Sequence, residues 1–211
     1  MRRTMMRNEF RDVSILVAAL GLAGVLSAQE PAKKSAAKPA PPDEKAMMEA
    51  WARASTPGEA HKRLDAIVGT FDTKVRMWMD PSKPPEDSTG TSVANWVLGN
   101  RYVEQKYEGT FMGEPFNGIG YTGYDNVQKK YVSVWMDNAG TGMMSMTSTM
   151  DAAGKTMNSK STVWDPMTGK PSQIEDKLTI VDNDHHTFEM WGKGPDGKML
   201  KMMQIDYTRK Q

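Results

Sequence analysis

Hydrophobic and polar residues alternate with a period of two from Gly69 to the end of the chain. In the first such run, residues 71–79 (FDTKVRMWM), Phe71, Val75 and Met77 share one face and charged residues occupy the other. Successive side chains of a strand point to opposite faces, so this run predicts a strand with one buried face. Similar runs follow at residues 90–98, 101–110, 116–124, 130–138, 142–150, 155–164, 173–182, 186–193 and 198–209.

The breaks between these runs contain the residues that chain reversals need. Examples are Gly99–Asn100, Asp125–Asn126 and the segment 195–197 (PDG). These residue types adopt a positive φ or preset it. About ten short strands joined by tight turns, with no helix between them, indicate an antiparallel meander. A meander of this length usually closes on itself, which removes exposed edges. We therefore predict an all-β protein, a closed antiparallel meander barrel of about ten strands.

Short helices are predicted just before the barrel. Asp43 is a candidate N-cap for a helix that starts at Glu44, and Pro57 is a candidate first residue of a second helix with Glu59 in its first turn. In the second segment, apolar residues recur at helical spacing. We expect them to cover one side or one end of the barrel; they are Ala60, Leu64, Ile67 and Val68.

The first 28 residues have the order of a secretory signal peptide. Four arginines precede an apolar run at residues 13–26 (VSILVAALGLAGVL), and the small residues Ser27 and Ala28 follow. The run is shorter than the roughly 20 residues that span a bilayer, so we expect cleavage after Ala28 and no transmembrane anchor afterwards. The expected location is the periplasm or the exterior. Residues 29–46 are rich in Pro, Ala and Lys, which predicts a disordered linker, and residues 47–211 form the barrel domain with its helices.

Charge and cysteine content exclude several classes of function. Without residues 1–28 the chain keeps 23 basic and 24 acidic residues, so a broad basic face for nucleic acid is not expected. No cysteine is present, which excludes disulfides, thiolate metal ligands and a thiol nucleophile. No motif implies a cofactor, and the oligomeric state cannot be derived from these patterns.

Four aromatic residues are the best candidates for lining a pocket. Alternation places Trp96 and Tyr107 on the inward face, whereas Tyr121 and Trp135 could face either way. The alternative is that they fill the core of a narrow barrel.

Methionine is unusually common, with 16 of the 19 residues remaining after position 28. Met144 and Met146 are candidates for pocket lining, because methionine adapts to irregular apolar spaces. Thioethers also bind Cu(I), but such a site needs about three of them at one point, and alternation along a strand spreads them apart. We therefore favour packing or pocket lining and predict no metal site.

Histidines and acidic residues give weaker signals. His185 and His186 are adjacent in a strand or turn, so they leave on opposite faces and cannot share a metal; a surface or turn position explains them best. Some barrels of this kind bind haem through one histidine, and His186 is the only residue that could serve. Acidic residues also fall within predicted strands, where one facing inward could act as a base or anchor a ligand, although the solvated face is favoured. They are Glu104, Asp137, Asp176, Glu189 and Asp206.

Residues 61–209 resemble the secreted bacterial family known as domain of unknown function 1579. The resemblance rests on residues 64–71 (LDAIVGTF), 96–103 (WVLGNRYV), 107–125 (YEGTFMGEPFNGIGYTGYD), 131–137 (YVSVWMD), 140–142 (GTG) and 206–209 (DYTR). It implies a fold similar to the calycins, which are lipocalin-like barrels. It implies no activity.

Lipocalin-like barrels carry a Gly-x-Trp on the first strand, whose ring plugs one end and is covered by an arginine of the last strand. Here Gly69 and Phe71 follow the predicted helix, and Arg209 ends the final run. The resemblance therefore implies that these three residues form a structural barrel plug. Phe71 replaces the usual Trp, so the ring has no N–H to donate.

Three functions fit these observations. The preferred hypothesis is an exported barrel that binds a small apolar or amphipathic ligand. The first alternative is an enzyme with an acidic or tyrosine site at the barrel mouth. The second is an envelope protein-interaction module with an exposed face that contains Trp78, Trp164 and Trp191.

Overall fold

A computed structural model describes residues 43–80, 82–194 and 197–211. The described residues begin with helix α1 (Glu44–Ser55), helix α2 (Glu59–Lys62) and a 3₁₀ helix (Arg63–Ile67). Ten strands follow. They are β1 (Gly69–Met77), β2 (Glu86–Val97), β3 (Tyr102–Phe111), β4 (Glu114–Asp125), β5 (Lys130–Asp137), β6 (Met144–Met150), β7 (Thr156–Trp164), β8 (Pro171–Ile180), β9 (His185–Lys193) and β10 (Met199–Arg209).

The strands form a closed antiparallel barrel, which confirms the predicted fold class. Each strand pairs with the next one along the chain, and β1 also pairs with β10, from Phe71 opposite Arg209 to Met77 opposite Met203. The β9–β10 ladder shifts register between Lys201 and Met203. The β6–β7 ladder contains only four pairs, ending at Thr147 opposite Lys160.

The helices before the barrel differ in two ways from the prediction. Asp43 is the N-cap of α1 as expected, accepting a hydrogen bond from the Ala46 amide at 2.7 Å. Because α1 begins at Glu44, the last three residues of the predicted linker 29–46 belong to this helix. Pro57 is not the first residue of the second helix, since α2 begins at Glu59 with Gly58 as its N-cap. The predicted signal peptide and residues 29–42 of the linker lie outside the described residues.

The 3₁₀ helix closes one end of the barrel, as the spacing of its apolar residues predicts. Leu64 is 1% exposed and forms a buried cluster with Ala94, Val103, Tyr131 and Met157, which come from four strands. The Tyr131 hydroxyl also donates to the carbonyl of Ala60 at 2.9 Å. These contacts fill the barrel at its closed end, and the open interior begins beyond them.

Candidate functional site

Gly69, Phe71 and Arg209 meet at the closed end of the barrel. The Arg209 guanidinium lies 4.5 Å from the centre of the Phe71 ring, and its Nη1 donates to the Val68 carbonyl at 2.7 Å. Gly69 has a φ of +134°, and a β-carbon there would overlap the guanidinium. Phe71 is 1% exposed. The arginine therefore ties the last strand to the Val68 carbonyl just after the 3₁₀ helix while covering an apolar ring.

Between this closed end and the loops at the other end lies a cavity of about 380 Å³. The described part of its wall is mostly apolar, and it extends to the exposed residues Thr110 and Ala139 near the ends of β3 and β5. Methionines supply much of the surface. Those that line it are Met77, Met144, Met146, Met157, Met190 and Met203.

Trp135 forms one wall of the cavity and is held in a fixed orientation. Its indole lies against Gly118 and Gly120 of β4, where a β-carbon would overlap the ring. Its Nε1 donates to Asp137 Oδ2 at 2.8 Å, and the Asp137 carboxylate also accepts from the Ala139 amide at 3.0 Å. The two glycines thus make room for an aromatic wall whose polar edge is paired.

Gly118, where a β-carbon would overlap the Trp135 ring, leads to a direct prediction. Gly118→Ala should lower the free energy of unfolding by about 1–3 kcal/mol, because the added methyl forces the packed indole to move. Urea unfolding followed by tryptophan fluorescence measures this. Gly140→Ala is the matched control, since nothing lies within 4 Å of the position of its β-carbon. Equal stabilities of the two variants would contradict the packing argument.

Tyrosine and histidine side chains form the inner end of the cavity. The Tyr107 hydroxyl is 3.1 Å from the Thr73 hydroxyl. Tyr207 stacks on His186 with 4.2 Å between ring centres, and His186 meets Phe71 edge-on at 4.7 Å. His186 is 5% exposed, and its Nδ1 has no hydrogen-bond partner. Burial, with a smaller effect of Arg209, lowers the pKa of His186 to about 4, so its ring is neutral at physiological pH.

A row of hydroxyl groups crosses the inner face. Thr122 and Ser133 are joined by a 3.0 Å hydrogen bond, and Ser148 and Ser159 by a 2.7 Å one; all four line the cavity. These pairs satisfy each other across neighbouring strands, as cross-strand Ser and Thr pairs commonly do. The cavity is therefore apolar with a polar band, which suits an amphipathic molecule.

Asp176 continues this band on β8 and differs from it in having no partner. It stands directly opposite Ser159 of β7 and Met190 of β9, both of which line the cavity. Directly paired residues share a face of the sheet, so Asp176 faces the interior. It is 3% exposed, and neither carboxylate oxygen has a hydrogen-bond partner. Burial raises the pKa of Asp176 to about 7.

The other strand carboxylates face solvent or are paired. Glu104 accepts from the Tyr121 hydroxyl at 2.7 Å, which lowers the pKa of Glu104. Glu189 pairs with Lys201 and with Lys177, and Asp206 pairs with Arg76 at 2.8 Å. Of the five acidic residues considered from the sequence, Asp137 lines the described cavity, and Asp176 lies on the inner face beside residues that line it.

The predicted pocket residues separate into two groups. Tyr107, Trp135, Met144 and Met146 line the cavity. Trp96 does not, because it lies at the closed end, where its Nε1 donates to Asp65 at 2.8 Å and its ring packs against the Leu64 cluster. Tyr121 does not either, because it points outward to Glu104. Neither residue is therefore retained as a pocket residue.

The expectation of a surface or turn position is wrong for His186, which is 5% exposed. The signal for His186 is its alternation with Phe188 and Met190, which outweighs its position beside a turn. Among the described residues no group of three His, Cys, Asp or Glu side chains is arranged to hold a metal ion. No helix in the described ranges has the length and apolar character needed to cross a bilayer.

Two solved structures share this architecture at low sequence identity. Rv2717c from M. tuberculosis matches with a TM-score of 0.53 and 14% identity, over 74% of this chain and 100% of that one. The S-type phycobiliprotein lyase CPES from Guillardia theta matches with a TM-score of 0.51 and 11% identity, over 76% and 97%. At these identities the likeness concerns the fold alone. No curated protein matches the sequence.

One family model covers most of the barrel and the segment before it. The model described as "Protein of unknown function (DUF1579)" matches residues 56–209, which is well over half of the chain. The match includes the 3₁₀ helix, all ten strands and Arg209 at the closed end. The chain therefore belongs to the DUF1579 family.

Proposed function

We propose that this protein binds a small apolar or amphipathic molecule inside the barrel. The observation that carries the proposal is the cavity of about 380 Å³, whose size falls within the roughly 300–1,000 Å³ of known ligand sites. Protein interiors are normally close-packed, so an apolar space of this size is costly unless something occupies it. Its methionine lining suits ligands of variable shape.

We also propose that the protein is exported from the cytoplasm. Residues 1–28 have the pattern of a signal peptide and residues 29–42 that of a linker. A binding protein outside the cytoplasm would meet its ligand in the periplasm or the medium. N-terminal sequencing of the protein from its native host tests this, with Gln29 expected as the first residue; an intact Met1 would contradict it.

The two alternatives have less support. An enzyme would use Asp176, whose pKa lies near neutrality, but no described nucleophile is hydrogen-bonded to it. An interaction module would use the outward tryptophans. Trp78 and Trp191 instead flank Lys201, whose Nζ lies 6.0 and 5.5 Å from their ring centres and pairs with Glu189. Of these three tryptophans, only Trp164 is largely exposed, at 72%.

The binding test compares two identical substitutions on opposite faces of the barrel wall. Ser133→Phe adds a ring to the cavity, whereas Ser145→Phe adds the same ring to the exposed face of the neighbouring strand β6. With octanol as probe and isothermal titration as readout, Ser133→Phe should weaken binding at least tenfold, and Ser145→Phe should leave it within twofold. Circular dichroism verifies that both variants fold.

Two results would contradict the proposal. One is the absence of octanol binding together with no small molecule in native mass spectra of protein purified from its host. The other is equal binding of octanol by the two variants, which would place the probe outside the barrel.

A further inference from the structure

Asp176 is the one acidic residue of the described chain that is buried without any hydrogen-bond partner. Its neighbours on the inner face do not supply one. On β8 they are Ile174 and Leu178, and on β9 the residue opposite is Met190. Opposite it on β7 is Ser159, whose hydroxyl is already joined to Ser148. No titratable side chain therefore faces Asp176 from either adjacent strand.

A second polar group beside it is also without a partner. Ser161 stands opposite Ile174, which places it diagonally next to Asp176 on the inner face. It is 6% exposed, and its Oγ has no hydrogen-bond partner. Buried polar groups are nearly always paired in folded proteins, so two unpaired groups next to each other need an explanation. Together they offer three oxygen acceptors directly beside Ser159 and Met190, which line the cavity.

We propose that the molecule bound in the barrel is a primary alkyl ammonium, whose head group pairs with Asp176 and Ser161 and whose chain lies along the methionines. This inference rests on the proposed function and names the chemistry of its ligand. A primary ammonium carries three N–H donors, which matches the two carboxylate oxygens and the Ser161 hydroxyl. Hydrogen bonds between two charged groups are roughly twice as strong as neutral ones, so the charge is the main determinant of specificity.

The same arrangement selects against other head groups. A carboxylate would bring a second negative charge beside Asp176, and like charges at close range repel strongly in a buried site. An alcohol has one donor and no charge, so its head group would pair with Asp176 more weakly than an ammonium. The titratable side chains in the described lining of the cavity are Asp137, His186, Tyr107 and Tyr207. Asp176 lies directly beside that lining, opposite Ser159 and Met190. Of these, Asp137 is already paired with Trp135 and the Ala139 amide.

The experiment measures affinities of octylammonium, octanol and octanoate by isothermal titration at pH 8, with protein purified from its native host. Octylammonium should bind at least about tenfold more tightly than octanol, and octanoate most weakly, as expected for one charge-assisted pair. Asp176→Asn should bring octylammonium and octanol within about threefold. Glu175 lies on the outer face of β8, next to Asp176, and pairs with Lys160 of β7. Glu175→Gln removes this outer carboxylate and should leave the preference for octylammonium intact.

The pH dependence gives a second measurement. An alkyl amine keeps its charge up to about pH 10, like a lysine side chain. Since burial raises the pKa of Asp176 to about 7, the affinity for octylammonium should fall several-fold from pH 8 to pH 6 as the carboxylate takes up a proton. The affinity for octanol should not change, and Asp176→Asn should remove the dependence.

The outcomes separate this inference from the proposed function. Binding of octanol and octylammonium with equal affinity by the unaltered protein would overturn the ammonium site while leaving ligand binding in place. Loss of the preference in Asp137→Asn but not in Asp176→Asn would also overturn it, as would the tightest binding by octanoate. Failure of all three probes to bind would reject the proposed function itself.

Discussion

Asp176→Asn is expected to raise the free energy of unfolding of the ligand-free protein at pH 8 by about 2–4 kcal/mol and to leave it nearly unchanged at pH 4. The carboxyl is 3% exposed and unpaired, and its pKa is about 7 in the folded protein against 3.8 as the ordinary value. Each pKa unit corresponds to about 1.4 kcal/mol of difference between the two protonation states. The amide has similar size and stays neutral, so it avoids the cost of a buried charge.

The direction in which stability changes with pH follows from the number of protons that the folded and unfolded states bind. Between about pH 4 and pH 7 the folded protein keeps a proton on Asp176 that the unfolded chain has lost. Stability therefore falls with rising pH through this window, and the contribution is fully present only below about pH 4. The variant should lack this fall.

His186 has the opposite effect on the pH dependence of stability, over nearly the same pH range. Its pKa is about 4 when folded and 6.5 ordinarily, so the unfolded chain binds the extra proton, and stability rises with pH between about 4 and 6.5. In the natural protein the two contributions largely cancel. Asp176→Asn should reveal the rise, and His186→Phe should reveal the fall.

Urea unfolding at several pH values from 4 to 8, followed by circular dichroism, measures these slopes. Glu175→Gln on the outer face is the control and should shift the whole curve by less than about 0.5 kcal/mol, as surface changes usually do. A pH profile of Asp176→Asn parallel to that of the natural protein would show that the carboxyl does not titrate as described.

Phe71→Ala is expected to lower the free energy of unfolding by about 3–5 kcal/mol, the usual range for removing a fully buried aromatic ring. The ring is 1% exposed and lies beneath Arg209, edge-on to His186 and to Tyr207 at 4.7 and 6.3 Å. Its loss leaves a space that the β1–β10 pairing cannot readily collapse. The guanidinium would also lose the aromatic face beneath it.

Lys74→Ala provides the control on the exposed face of the same strand, and it should change stability by less than about 0.5 kcal/mol. Chemical denaturation with matched protein concentrations measures both variants. A loss below about 1 kcal/mol for Phe71→Ala would mean that the ring is not part of the cooperative core.

The sequence predicts the barrel well because one physical signal repeats in every strand. Alternation assigns a side chain to a face, and closure follows from the number of strands. Alternation does not assign depth along the barrel axis. Trp96 is on the inward face, yet it lies beneath the 3₁₀ helix and outside the cavity. That position depends on how the strands are staggered, which no local pattern encodes.

The polar part of the site was harder to predict for a different reason. Asp176 alternates with Ile174 and Leu178, which indicates an inward position, but carboxylates are usually solvated, and that general preference argued for the outer face. Tyr121 was ambiguous because its neighbours on the inner face of β4 are Gly118, Gly120 and Thr122, whose small side chains give no hydrophobic contrast. The structure explains the two glycines, because the Trp135 ring lies against Gly118 and Gly120.

The pairing of β1 with β10 has a consequence for how the chain folds. It joins residues that are more than a hundred positions apart, from Phe71 with Arg209 to Met77 with Met203, whereas the other nine ladders join consecutive strands. Bringing such distant residues together is slow, because the entropy of a long loop is lost before the contact forms. Until the β1–β10 ladder forms, the incomplete sheet has two free edges that can associate with other molecules. The stage before β1 pairs with β10 is therefore the one at which a nascent chain is most exposed to aggregation.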